Sequence, residues 1–255
     1  NSKDFPANKK YAIPLSITGA SNYSLIPSQR SAILLLNRSI LSSVAKVSGG
    51  EGIRIKPVGM HTKAEWTIQM SAIYSSLTRS NLTTAYLSNG TGGEFYTRIS
   101  STAGIQVKNG RDGDDTWTQI PLQAGKWLHI TYVHKDKKTT VYVNGKVQKV
   151  FENSAITFGE NSMIVVGNSG YRNDYLREIR LWDKALTESE INDYLYLPMD
   201  PATPHLISYL PLSKEMETKD LKAPAGTENV TTKARIEYVE NVKFPADELV
   251  IVNQE

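Results

Sequence analysis

Two polar stretches gather side chains that can do recognition chemistry. Asn168-Ser169-Gly170-Tyr171-Arg172-Asn173-Asp174-Tyr175 places an aromatic ring, a bidentate guanidinium, an amide and a carboxylate in one short run. Such a set suits a sugar. An aromatic face takes the apolar side of a pyranose ring, and planar polar groups pair with its hydroxyls. Tyr171, Arg172, Asn173 and Asp174 are therefore candidate ligand-binding residues, although the same types also make an ordinary solvated loop. The second stretch, Asn109 to Trp117, carries Asp112, Asp114 and Asp115. Their oxygens could gather a hard cation such as calcium, but the spacing departs from that of an EF-hand loop, and acidic hairpin tips are common. Trp117 either stacks on a ligand or packs. Tyr86, Asn89 and Tyr96 border the turn Asn89-Gly90-Thr91-Gly92-Gly93, whose glycines would let a ligand approach the backbone closely. Asn89 and Tyr96 complete the candidate set.

Catalytic signals are weak beside these. Glycoside hydrolysis needs two carboxyl groups about 5 to 9.5 Å apart. A strand supplies them when two acids alternate and so share a face. Glu178 alternates with Arg180 instead. Glu188 and Glu190 alternate but open a helix, where capping explains them. Glu237 and Glu240 are offset by three on a predicted strand. His61, His129, His134 and His205 show no metal-ligand spacing, and His129 reads as a sheet residue. No nucleophile elbow, phosphate-cradling loop or dinucleotide fingerprint occurs. The expectation is a protein without catalytic activity.

Composition narrows the class. The 255 residues are 40% hydrophobic and 22% charged, with net charge +3. That is a globular composition with room for a core. The cations are dispersed, so neither a nucleic-acid groove nor an anionic membrane surface is indicated. No apolar run approaches the roughly 20 residues that span a bilayer. Cysteine is absent, which excludes disulfides, zinc–thiolate sites and cysteine nucleophiles and leans toward a bacterial or cytosolic source. The chain starts at Asn1, and the expectation is a processed piece whose targeting segment is missing.

The elements that must hold these residues are strands. Lys126 to Val150 reads as strand, polar turn, strand, Asn144-Gly145 turn, strand; Asn-Gly supplies the positive φ that a type I′ hairpin needs. Trp66–Ile73 alternates as one strand. Thr84–Leu87 pairs with Glu94–Ile99, and Gly104–Lys108 with Trp117–Pro121. Ser162–Val166 and Glu178–Trp182 flank a loop from Gly167 to Tyr175. Many short strands at regular spacing predict a sandwich or jelly roll. Thr187-Glu188-Ser189-Glu190 is a capping box that opens one short helix, with Ile191, Tyr194 and Leu195 predicted to cover one end of the sandwich. Trp66, Trp127 and Trp182 read as core.

Two segments carry a family resemblance. GKWLHITYVHKDKKTTVYVNGKV resembles the central hairpin of laminin-G-like domains of the concanavalin-A-like lectin/glucanase superfamily. VVGNSGYRNDYLREIRLWDKALTESEI resembles that group's later signature. The likeness covers roughly Ile53 to Leu212, with LISYLPLS as a closing strand and Ala234–Phe244 as a further one. KYAIPLSITGASNYSLIPSQRSAILLLN resembles the last two strands of a small β-sandwich domain. That domain precedes laminin-G-like domains in surface lipoproteins of glycan-foraging Bacteroidetes. The resemblance implies an all-β, concanavalin-A-like jelly-roll sandwich, preceded by remnant strands of an N-terminal β-sandwich. It divides the chain into residues 1–38, a linker at 39–50 and a jelly roll at 51–255. It further implies noncatalytic binding of oligosaccharide or polysaccharide at a bacterial cell surface. The protein would be lipid-anchored in the outer membrane or periplasmic, beside outer-membrane glycan-uptake proteins. A protein-interaction or adhesion module is the competing expectation. A glycosidase with acids from separate strands is the third.

Overall fold

The structure is a computed structural model. It describes residues 11–19, 31–36, 39–50, 52–58, 64–78, 83–88, 94–108, 113–152, 156, 162–167 and 171–253. Two compact units divide the chain, Asn1–Ile40 and Leu41–Glu255. In the first, β1 (Tyr11–Ser16) and β2 (Ser31–Leu36) pair antiparallel, with Ile13 opposite Leu34 and Leu15 opposite Ala32.

The second unit is a two-sheet sandwich. Its strands are β3 (Ile40–Gly49), β4 (Ile53–Ile55), β5 (Trp66–Ile73), β6 (Thr83–Ser88), β7 (Glu94–Ser100), β8 (Gly104–Lys108), β9 (Leu128–Lys135), β10 (Lys138–Val143), β11 (Lys146–Glu152), β12 (Met163–Val166), β13 (Tyr171–Trp182), β14 (Leu206–Leu210), β15 (Val230–Thr232) and β16 (Arg235–Phe244). Its helix is α1 (Glu188–Asp193). An eight-stranded sheet runs β11-β10-β9-β5-β13-β3-β16, and β14 pairs with the later half of β13. A six-stranded sheet runs β15-β4-β12-β6-β7-β8.

Period-two alternation builds the core between them. Trp66, Ile68, Met70 and Ala72 of β5, with Ile130 and Tyr132 of β9, form one apolar cluster with Phe95, Ile99, Ile105, Val107, Ile164 and Val166 of the other sheet. The Asn144-Gly145 turn joins β10 to β11 with φ of 50° and 76°, as the type I′ expectation requires. Helix α1 has the full capping box, Thr187 Oγ1 accepting from Glu190 N and the Glu190 side chain accepting from Thr187 N. It does not sit at an end of the sandwich. Ile191 and Leu186 pack with Val133, Tyr142, Trp182, Met199, Leu206 and Tyr209. Those strand residues alternate with the core set, so helix and flanking chain lie on the outer face of the eight-stranded sheet.

Three local expectations are corrected. The segment expected as a linker, 39–50, contains β3, whose Ala45 and Val47 are fully buried. Its small residues carry weak β-propensity, and the strand exists because β13 and β16 flank it. Trp117–Pro121 is not a strand but one bridge, Gln106 to Trp117. Thr118 Oγ1 accepts the Ile105 N–H, and Gln119 turns to φ 60°. Tyr171–Tyr175 is not loop but the start of β13. That strand stays paired across two register shifts, where Asn173 (φ 61°) and Glu178 (φ 55°) bulge.

Candidate functional site

The outer face of the six-stranded sheet carries aromatic and basic residues in register. Thr231 stands opposite Arg54, Arg54 opposite Val165, Val165 opposite Tyr86, Tyr86 opposite Tyr96, and Tyr96 opposite Lys108. Cross-strand partners in antiparallel sheets share a face. Their sequence neighbours Ile53, Ile55, Ala85, Phe95, Val107, Ile164 and Val166 belong to the core, so this row points outward. Arg98 and Gln106 are opposite each other two residues further along β7 and β8, and Gln106 is bridged to Trp117 at the sheet edge.

The geometry of the row is specific. Tyr86 and Tyr96 meet edge to face with centroids 5.9 Å apart, a favoured aromatic arrangement. The guanidinium of Arg98 lies over the Tyr96 ring, 5.2 Å from its centroid. Among the described residues no hydrogen bond or ion pair engages Arg98, and its Nε is buried without a partner. Arg54, Tyr86, Tyr96, Arg98 and Lys108 are all partly exposed.

The candidate loop residues are distributed differently. Arg172 and Asn173 are exposed at the start of β13, in the other sheet, and Arg172 offers its carbonyl to Ser75 Oγ at 2.7 Å. Asp174 is fully buried, and its Oδ1 accepts from Ser75 N (2.8 Å) and Ser75 Oγ (2.9 Å). The bulge at Asn173 turns it inward, so its carboxylate ties β13 to the end of β5 and does not face solvent. Tyr171 and Asp114 are described in backbone only, and Asn89 and Asp112 lie outside the described residues. The structure therefore places Tyr96 and Arg172 on different sheets. Register brings Tyr96 beside Tyr86, Arg98 and Lys108. Arg54, Arg98 and Lys108 were missed in the sequence, where EFYTRIS already shows Tyr96 and Arg98 in alternation.

The acidic turn is held by a lysine. Lys149 of β11 donates to the carbonyls of Asp115 (2.8 Å) and Trp117 (2.7 Å). The lysine thus ties the backbone of the turn to β11. Among the described residues no group of three or more His, Asp or Glu could hold a metal.

The outer face of the eight-stranded sheet is polar too, but sealed. Register aligns Tyr142, Thr131, Gln69, Arg180 and Tyr209, and beside them His129, Ser71 and Arg177. All are buried. Arg180 donates to the carbonyls of Tyr194 and Leu197 in the chain around α1. Arg177 lies under the Phe244 ring at 3.9 Å. Glu178 joins both arginines, Arg180 at 2.6 Å and Arg177 at 3.5 Å, and accepts from the Tyr209 hydroxyl. Burial, then the charges of Arg180 and Arg177, hold His129 neutral, well below its ordinary pKa. An open pocket of about 650 Å³ lies within residues 218–230. Its buried Asp220 already accepts from Ser208, Asn229, Tyr209 N and Lys222 N. The buried carboxylates Asp174, Glu178 and Asp220 are thus each committed to structural bonds.

Comparison with known proteins gives the following. A laminin-G-type family, described as the concanavalin A-like lectin/glucanases superfamily, matches residues 48–192. Among solved structures, a candidate carbohydrate binding protein from Bacteroides ovatus ATCC 8483 superposes with TM-score 0.61 at 18% identity, covering 94% of this chain and 71% of that one. A heptameric SAP-like pentraxin from Limulus polyphemus gives TM-score 0.50 at 13% identity, covering 78% and 94%. Domain 4 of an extracellular arabinanase from Geobacillus stearothermophilus, in complex with arabinotriose, gives 0.43 at 14%, covering 71% and 86%. No curated protein matches the chain in sequence.

Proposed function

The chain belongs to the concanavalin A-like lectin/glucanases superfamily, and from that premise we propose that its sandwich unit binds carbohydrate without cleaving it. The observation that carries the reading is the open row around Tyr86, Tyr96 and Arg98. It supplies apolar ring surface and a fixed planar donor, the two things a sugar ring needs. The committed state of the buried carboxylates supports binding rather than hydrolysis, which requires two acids free to flank a glycosidic bond. The Bacteroides ovatus structure is a candidate carbohydrate binding protein of the same fold. Fold alone does not dictate activity.

In this reading the chain captures polysaccharide or glycoprotein glycans at a bacterial surface, beside outer-membrane uptake proteins. A shallow face gives dissociation constants of about millimolar to micromolar, and many surface copies raise the avidity. A second reading has its own observation. Ile13, Leu15, Ile17 and Ile33 of the first unit are exposed at 40–68%, which favours protein contact by that unit.

Affinity electrophoresis against host and plant polysaccharides, with and without EDTA, tests the reading. The expected result is a retarded band that Tyr96→Ala releases. Loss of retardation in EDTA would bring calcium and the Asp115 turn into the mechanism. No retardation on any glycan would end the carbohydrate reading.

A further inference from the structure

The open face carries cations as well as rings. The row begins at Arg54 on β4 and ends at Lys108 on β8, with a buried Val165 and then Tyr86 and Tyr96 between. Four strand spacings of about 4.8 Å separate the ends, about 19 Å in all. One strand spacing is comparable to one sugar repeat in an extended polysaccharide, so Tyr86, Tyr96 and Lys108, on adjacent strands, are spaced to meet successive sugars. Arg98 stands two residues from Tyr96 on the same face, held by its ring and engaged by no hydrogen bond or ion pair among the described residues.

A guanidinium parked on an aromatic ring and left without an acceptor has a desolvation cost that only an incoming anion offsets well. A neutral sugar would satisfy the rings and leave Arg98 facing hydroxyls. Building on the carbohydrate reading, we propose that this face selects an anionic glycan, a polysaccharide whose sugars carry carboxylate or sulfate. Arg98 forms the forked, charge-assisted contact to the acidic group. Tyr86 and Tyr96 take the ring carbons, and Arg54 and Lys108 add positive charge at the two ends of the row. The rings confer selectivity for sugar, and the cations confer selectivity for charge.

The test is calorimetry and affinity electrophoresis with four polymers: polygalacturonate, chondroitin sulfate, neutral xylan, and poly-glutamate as a polyanion without sugar. The expected result is binding to polygalacturonate or chondroitin sulfate at least tenfold tighter than to xylan or poly-glutamate. Arg98→Gln should weaken it about tenfold or more, the scale of a lost charge-assisted hydrogen bond. Raising the salt should weaken it further by screening. Whichever acidic polymer binds identifies the group. Arg98→Lys separates fork from charge: it keeps the cation and should not restore full affinity. Binding of xylan as tight as that of the acidic polymers, released by Tyr96→Ala and untouched by Arg98→Gln, overturns the anionic proposal and leaves the carbohydrate reading standing. Equal binding of poly-glutamate overturns it as charge attraction alone. Failure of all the glycans overturns both.

Discussion

The two outer faces of this sandwich carry similar chemistry and opposite fates. Each presents arginine, tyrosine and other polar groups in register across its strands. On the eight-stranded sheet that row is roofed by α1 and the chain around Phe244, and its two arginines share the buried Glu178 carboxylate, while Arg177 Nε, Arg180 Nε and His129 Nε2 are buried without a hydrogen bond among the described residues. On the six-stranded sheet the row around Tyr96 stays partly exposed, and Arg98 has no acceptor among the described residues. The partner decides the role: a guanidinium with a buried carboxylate holds the fold, and one with only a ring is available to a ligand.

The largest effect that should break this contrast comes from Glu178→Gln. It leaves Arg177 and Arg180 buried without their shared carboxylate, and removing one member of a buried pair costs about 3–5 kcal/mol. Urea unfolding measures it. A loss under 1 kcal/mol would mean the sealed face does not depend on its ion pairs.

Acid should act next. Burial lowers His134 from 6.5 to about 4, and burial with the charges of Arg180 and Arg177 holds His129 well below its ordinary value. A depressed histidine is neutral when folded, so the unfolded chain binds the extra proton. Stability is then complete above about pH 6.5 and falls between pH 6.5 and about 4. His134→Gln should flatten that slope in a pH series of thermal melts; an unchanged slope would assign the acid sensitivity elsewhere.

Smaller effects sharpen the picture. Asp174→Ala removes the acceptor for Ser75 N and Oγ and should cost about 1–3 kcal/mol, whereas a ligand-facing aspartate would cost affinity and almost no stability. Thr187→Ala should cost about 1 kcal/mol through the lost helix cap. Arg98→Gln should change stability by about 0.5 kcal/mol or less, the mark of a residue reserved for binding.

The sequence made the strands legible where local grammar and packing agree. Asn144-Gly145, the alternation of Trp66–Ile73 and the Thr187 capping box each name their structure directly. β3 was hidden because Ser42-Ser43-Val44-Ala45 has little intrinsic preference and becomes a strand only between neighbours far away in the chain. The candidate site was legible in part. Tyr96 was visible as a ring beside a turn, but its row depends on the pairing of Tyr86, Val165 and Arg54, which joins residues far apart in sequence. Asp174 misled because composition cannot show a bulge that turns a carboxylate inward.

Affinity electrophoresis of Tyr96→Ala beside Tyr171→Ala, on a polysaccharide that retards the unaltered chain, tests most directly which surface binds. The expected result is that Tyr96→Ala runs free while still unfolding cooperatively, and Tyr171→Ala stays retarded. Retention by Tyr96→Ala with release of Tyr171→Ala would contradict it and move the site to the start of β13.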